Sequence, residues 1–584
     1  MTLPCALRER VKLHLVSIVR LPLLLLLLLV ACAPAPLRQG APAQGVAAVA
    51  APDSFSAAAA EAVLARGGNA IDAAIATAFV LAVTYPEAGN LGGGGFMTLY
   101  HAGTPAFLDY RETAPLGATR DMYLDAAGAV VPGASTIGHG AAGVPGTVAG
   151  LWMAHQRFGR LPWRGLVAPA IALARDGFIP SAHLASRLKE ERGAFAGLTN
   201  FDTYFGGVES GVAFRQPELA ATLDRIARHG TDGFYRGQTA NLITAEMQRG
   251  GGLITRRDLA EYRALWREPL AADWRGLRVL SAPPPSSGGF ALVQLLGMKD
   301  ALAVQFAGLA RNSTQYVHLV AEMEKRVFAD RAEYLGDPAF VDTPVAKLID
   351  PRYIARRAAE VRPDSISPLQ AVRPGLEEGR HTTHFSILDG EGNAVANTYT
   401  LNGWFGNGVV VKGAGFLLNN EMDDFSVKPG APNLYGVVGG TANEIAPGKR
   451  MLSSMSPTIL LRDRNVAMVV GTPGGSTIFT SVFQAIVNIL DFGMTPQQAV
   501  AAPRFHHQLL PPDELIYSPC CTLPEATIAG LRERGYAPRP SDWEFGDVQM
   551  VWVDAAGRVS AGSDPRGRGE ARVMQSPAGP GQSR

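Results

Sequence analysis

Two hydrophobic rhythms alternate along the chain from position 46 onward. Apolar residues recurring every three to four positions predict helices, and short runs that are mostly apolar predict buried strands. Asp53 and Ser54 can cap a first helix, which reaches about Ala65 and is stopped by Gly67 and Gly68. Asn69, with Asp72 three positions on, opens an Ala-rich helix to about Val83. Its residues are small all round, so most of its faces can be buried. Amphipathic helices recur near 166–174, 217–228, 239–249, 291–303 and 315–334.

The rhythm breaks over 361–380, where Pro363, Pro368, Pro374 and several charges replace apolar periodicity and predict an exposed linker. Strands over 382–388 and 394–402 follow, joined by Asp389, Gly390, Glu391, Gly392 and Asn393, a hairpin-turn sequence. With Glu391 at the apex, Leu388 faces Ala394 and Thr382 falls opposite Thr400, a cross-strand Cβ separation of about 5 Å. Further on, 465–470 predicts a buried strand, 471–476 a tight glycine loop and 478–490 a helix. Backbone N–H groups at such a loop suit an anion. A second glycine run, 90–96, leads into a strand over 96–100 and lacks the lysine of a phosphate loop, so it predicts close backbone packing.

The N-terminus reads as an export signal. Arg8, Arg10, Lys12 and Arg20 precede an apolar run over 21–31 that includes seven consecutive leucines, 23–29. That run falls short of the roughly 20 residues a membrane-spanning helix needs. It ends Leu29-Val30-Ala31-Cys32, which resembles a bacterial lipobox with Cys32 as the lipidated residue; an ordinary signal peptide is the alternative. The Ala-, Pro- and Gly-rich segment up to Gly45 then reads as a tether. The expected layout is a signal peptide over 1–31, a tether over 32–45, and chains over 46–381 and 382–584.

The 584 residues are 47% hydrophobic, enough for a large core, and 53 basic against 52 acidic residues exclude the basic footprint of a nucleic-acid binder. Cys520 and Cys521 are adjacent, make only a strained disulfide and lack metal-site spacing, so they are read as local structure. His506 and His507 are likewise read as structural.

Thr382-Thr383-His384 alone is ordinary strand sequence. Its place directly after a proline-broken linker changes the picture. A cut between His381 and Thr382 would give Thr382 an α-amine of pKa about 7.7–8.0, able to act as base for its own Oγ. Gly474 and Gly475 could supply an oxyanion hole. Arg111, Glu112, Glu421, Asp423, Asp424, Ser453 and Ser454 are polar residues in apolar stretches, the mixture a zwitterionic substrate head requires.

In these stretches the chain resembles the γ-glutamyltranspeptidase family of N-terminal-nucleophile hydrolases. The matching segments are 66–74, 87–97, 111–115, 143–150, 382–384, 418–425, 452–457 and 472–475, in order, within a similarity spanning about 47–566. The resemblance implies a four-layer αββα sandwich (α/β, or α+β) cut autocatalytically into a large and a small subunit. It implies Thr382 as nucleophile, Thr400 as its supporting hydroxyl, and Gly474 and Gly475 as oxyanion donors. It further implies that Arg111, Ser453 and Ser454 hold a γ-glutamyl α-carboxylate, that Asn402, Glu421 and Asp424 hold the α-amine, and that Tyr435 belongs to a lid. The implied reaction transfers the γ-glutamyl group of glutathione or other γ-glutamyl compounds to water, amino acids or dipeptides, without metal or cofactor. The protein is then expected outside the cytoplasm, on a membrane only through a lipid at Cys32. Gly403-Trp404 and Met451 depart from the family pattern near the site and could alter acceptor preference. The alternatives are a cephalosporin (glutaryl) acylase of the same fold, for which two acids facing a side chain with no α-amine fit less well, and an inactive binding lipoprotein.

Overall fold

The computed structural model describes residues 45–369, 371–372, 383–428 and 440–575. Two antiparallel sheets lie face to face. The first has seven strands in the order β16-β1-β7-β8-β2-β3-β4: β1 (Val46–Ala51), β2 (Gly94–His101), β3 (Thr104–Tyr110), β4 (Leu265–Arg267), β7 (Thr383–Leu388), β8 (Ala394–Thr400) and β16 (Glu570–Gln575). The second has six, in the order β15-β14-β10-β9-β6-β5: β5 (Leu270–Trp274), β6 (Leu277–Ser281), β9 (Thr458–Arg462), β10 (Asn465–Gly471), β14 (Gln549–Val553) and β15 (Val559–Ser563). A small sheet of β11 (Phe505–His506), β12 (Glu514–Tyr517) and β13 (Ala537–Pro540) lies apart from both.

Period-two alternation divides each strand between two cores. Leu388, Ala394 and Ala396 of the first sheet meet Ile459, Val469 and Val551 of the second in a thin inter-sheet core. The opposite face of β7 and β8, carrying Phe385, Ile387, Val395 and Tyr399, joins a core built on α1 (Ser54–Ala65) and α2 (Ala70–Thr84). On the far side, Met468 and Val470 pack with α3 (Gly288–Ala301), α4 (Thr314–Tyr334) and α5 (Thr477–Leu490). The four-layer αββα order is therefore a consequence of two sheets that each have two apolar faces.

Local signals work as the sequence predicts. Asp53 caps α1 by accepting the Ser56 N–H at 2.7 Å, and Asn69 and Asp72 form a reciprocal capping box at the start of α2. Every residue of α2 is buried. The linker expected to be exposed over 361–380 is instead buried at Val361, Ser367 and Val372, where Glu322 accepts the Ser367 N–H, and two strand ends shift by two residues. The strand expected from Phe96 starts at Gly94, because Gly94 and Gly95 lie so close to β3 and β8 that a Cβ would fall 2.5 Å from the carbonyls of Tyr110 and Thr398. The strand expected to reach Asn402 ends at Thr400, because Asn402 has φ 72° and turns the chain.

Residues on either side of position 382 share both large sheets. β1 lies between β16 and β7, and β6 pairs with β9. The two expected subunits are thus one interleaved body, with no surface along which to separate without unpairing strands.

Candidate active site

The hairpin forms in the expected register, with Leu388 opposite Ala394 and Thr383 opposite Tyr399. Thr382 and His381 lie outside the described residues, as do Tyr435 and Cys32. His384 is fully buried between the sheets. Its Nδ1 is 2.7 Å from Thr398 Oγ1 and its Nε2 3.1 Å from Ser386 Oγ, which itself donates to the Gln549 carbonyl at 3.0 Å. Burial pushes its pKa down to about 3, so the ring is neutral. It is a structural member of the Thr-Thr-His sequence, fixing β7 against β8.

The ring also fixes the glycine loop. A Cβ on Gly471 would fall 2.3 Å from His384 Cε1, so only glycine lets β10 end there. Gly474 (φ 134°) and Gly475 (φ 55°) then turn the chain into α5, their carbonyls accepting the N–H groups of Thr477 and Ile478 at 3.0 Å. No described residue accepts a hydrogen bond from the N–H of either glycine. That is the donor pair an oxyanion needs.

At the C-terminal end of β8, two residues past Thr398, Thr400 Oγ1 accepts the Asn402 N–H at 2.8 Å, and the Thr400 carbonyl accepts Asn90 Nδ2 at 2.8 Å. Asn402 Nδ2 donates to the Asn420 carbonyl at 3.1 Å. Here the chain meets a buried charge cluster. Arg111 Nη1 donates to Glu421 Oε1, and Nη2 donates to Asp424 Oδ2 at 2.5 Å and to the Leu452 carbonyl at 3.1 Å. Glu112 lies 3.7 Å from the same guanidinium. Burial opposes the charge on Arg111, but Glu421, Asp424 and Glu112 hold its pKa above the ordinary value. Burial in turn raises all three carboxyls, Glu112 to about 8, with Arg111 counteracting. Among the described residues, none donates a hydrogen bond to either oxygen of Glu112, to Oε2 of Glu421 or to Oδ1 of Asp424. One guanidinium does not satisfy three carboxyls.

Ser453 and Ser454 follow Leu452 directly. The Ser453 N–H donates to the Pro285 carbonyl at 2.9 Å, and its carbonyl accepts the Ser287 N–H at 2.6 Å and Ser287 Oγ at 2.8 Å. Arg111 thus binds Glu421 and Asp424 directly, Ser453 and Ser454 follow the Leu452 carbonyl it donates to, and Asn402 is tied to Asn420 beside Glu421.

Three positioning residues escape sequence reasoning. Asn419 clamps three segments: its Oδ1 accepts the N–H groups of Gly143 (2.8 Å) and Glu421 (3.0 Å), and its Nδ2 donates to the carbonyls of Gly92 (2.7 Å) and Gly143 (2.8 Å). Tyr262 donates to the Arg111 carbonyl at 2.9 Å. Arg331, with Nε on Ser287 Oγ at 2.9 Å, is lowered to about 9 by burial, against the pull of Asp424. Asn419 and Asn420 inside an apolar stretch were a usable signal; Tyr262 and Arg331 carried none.

A family model described as gamma-glutamyltranspeptidase matches residues 56–574. The glutathione hydrolase proenzyme of Pseudomonas aeruginosa is 58% identical over 528 residues, 90% of this chain and 94% of that protein. Among solved structures, a gamma-glutamyltranspeptidase from Pseudomonas nitroreducens complexed with L-DON is 57% identical, with a TM-score of 0.55 over 56% of this chain and 97% of that one. A cephalosporin acylase from Bacillus halodurans is 27% identical, with a TM-score of 0.78 over 92% of this chain and 98% of that one.

Proposed function

This chain belongs to the γ-glutamyltranspeptidase family, and on that premise we propose that it is a γ-glutamyltransferase and glutathione hydrolase whose precursor cuts itself between His381 and Thr382. The expected pairing of Thr382 with Thr400 is supported by the observed β7–β8 register, which places Thr383 opposite Tyr399. After the cut, the Thr382 α-amine takes the proton from its own Oγ, which Thr400 orients, and Oγ attacks the γ-carbonyl of the donor. The N–H groups of Gly474 and Gly475 stabilise the oxyanion, the amine (cysteinylglycine, for glutathione) departs, and water or an amino acid or dipeptide amine takes the acyl group.

The observation that carries this reading is the imbalance around Arg111. Among the described residues no N–H or O–H group donates to Glu421 Oε2 or Asp424 Oδ1, both buried. A substrate ammonium brings three donors to them, and its α-carboxylate takes over the guanidinium with Ser453 and Ser454. Asn402 completes the ammonium site, and Tyr435 belongs to a lid over it. A glutaryl side chain offers no ammonium and leaves those acceptors orphaned, which weighs against the acylase alternative.

The division into chains over 46–381 and 382–584 draws support from the Pseudomonas nitroreducens chain, which aligns over 97% of its length yet covers only 56% of this one. We also propose export with lipidation at Cys32; among the described residues no helix is long and apolar enough to cross a membrane. N-terminal sequencing of the purified protein, with glutathione and a glutaryl amide assayed in parallel, tests both halves. The expected result is one new terminus at Thr382, a blocked second terminus, and turnover of glutathione in preference to the glutaryl amide. A single uncut active chain, or turnover of the glutaryl amide alone, overturns the assignment.

A further inference from the structure

Two adjacent free cysteines lie on the loop after β12. Cys520 is exposed, Cys521 half-buried, and their Sγ atoms are 2.8 Å apart without a bond. Neighbouring residues across a trans peptide have Cα atoms about 3.8 Å apart, below the roughly 4.4 Å lower bound usual for disulfides. A bond between these sulfurs therefore distorts the 520–521 peptide, and strained, exposed disulfides are the readily reduced ones.

The pair is wired to the neighbourhood of the glycine loop. The Cys520 N–H donates to Glu544 Oε1, and Ser518 Oγ donates to Glu544 Oε2 at 2.7 Å. Arg566 Nε donates to Ser518 Oγ at 2.9 Å and lies 3.5 Å from Glu544 Oε2. Glu544 and Arg566, with Trp543, Trp404, Arg187 and Gly474, line a cavity of about 110 Å³. The backbone amide of one cysteine thus holds a carboxylate in the wall of a cavity that reaches the proposed oxyanion loop.

We propose that Cys520 and Cys521 are a reversible dithiol–disulfide site for low-molecular-weight disulfides, and that its oxidation state sets the position of Glu544 in the cavity beside Gly474. The Cys520 thiolate attacks one sulfur of a small disulfide RSSR, forming a mixed disulfide and expelling RS⁻. The Cys521 thiolate then displaces the second RS⁻ and closes the Cys520–Cys521 bond. Two protein thiols are oxidised, one RSSR becomes two RSH, and the two protein protons end on the departing thiolates. The disulfide of a thiol-bearing γ-glutamyl peptide is the form of RSSR that the proposed donor class supplies; only this point and the kinetic test below rest on the proposed function. Burial, then the Cys521 thiol, pushes the Cys520 thiol up to about 11, so exchange quickens as pH rises.

The test treats the processed full-length enzyme with 2-hydroxyethyl disulfide, then alkylates it after denaturation and maps peptides by mass. The peptide holding both cysteines is expected to be lighter by two hydrogens, to resist alkylation, and to recover both thiols with dithiothreitol. A mixed disulfide persisting on Cys520, or two alkylated thiols, overturns the site whether or not the enzyme turns over. In the oxidised enzyme, KM for a dipeptide acceptor is expected to change about threefold, the scale of one hydrogen bond, with kcat for donor hydrolysis retained. Cys520→Ser and Cys521→Ser should keep basal hydrolysis and lose this response. An unchanged acceptor KM in fully oxidised enzyme, or the same shift in Cys521→Ser, overturns the coupling to the cavity.

Discussion

The hairpin end and the Arg111 cluster meet at one site but are built on opposite principles. At His384 the hairpin is neutral and paired: the ring carries no charge and both its nitrogens have hydroxyl partners. A few residues away, the buried Arg111 guanidinium faces the carboxyls of Glu112, Glu421 and Asp424, whose hydrogen-bonding capacity is only partly used. The neutral region holds geometry, because a satisfied network has one arrangement. On the proposed function, the charged region holds affinity in reserve, because its unpaired carboxyl oxygens are satisfied when a substrate cation arrives. Fixed geometry near the reacting atoms and unspent polarity at the recognition end would then let binding position the scissile bond.

Three substitutions test that division, from the largest effect down. Thr382→Ala removes both the nucleophile and the new amine; intact mass should show one uncut chain, and glutathione turnover should fall by at least about a thousandfold. Two subunits of normal mass from that variant would refute the role of Thr382. Glu421→Gln keeps the shape of the recognition end and removes one charge. It is expected to lower kcat/KM for a γ-glutamyl amide about 10- to 100-fold, the scale of one charged hydrogen bond. Any residual turnover of a glutaryl amide, which has no ammonium, should change far less; equal losses would mean that Glu421 acts on structure alone.

The smallest effect is on stability. Burial raises the Glu112 pKa to about 8 in the folded state, above the ordinary value of 4.5. An acid raised on folding binds its proton more tightly in the native state. Its contribution is therefore complete below pH 4.5 and is lost as pH rises through about 8. Urea midpoints measured across that window should decline less steeply for Glu112→Gln than for the parent protein. Parallel slopes would show that Glu112 does not protonate on folding.

Much of the scaffold was legible because its signals are local. The caps at Asp53 and Asn69, the buried Ala-rich helix and the hairpin register each depend on residues within a few positions of one another. The strand boundaries at Gly94 and Asn402 were not, since each is decided by a contact or a backbone angle invisible in composition. The same limit applied to Asn419, three of whose four hydrogen bonds reach two loops more than 270 positions away.

The sequence by itself determined the elements, the hairpin pairing and the residue types of the site, because periodicity and turn chemistry act over short stretches and the motifs fall in a specific order. Only the tertiary structure decided that Arg111 is shared between Glu421 and Asp424, that His384 is neutral and makes Gly471 obligatory, and that the segments before and after position 382 interleave in both sheets. Those outcomes come from burial and from contacts between distant segments. Desolvation sets which groups are charged, and a linear sequence does not say which groups will be desolvated together.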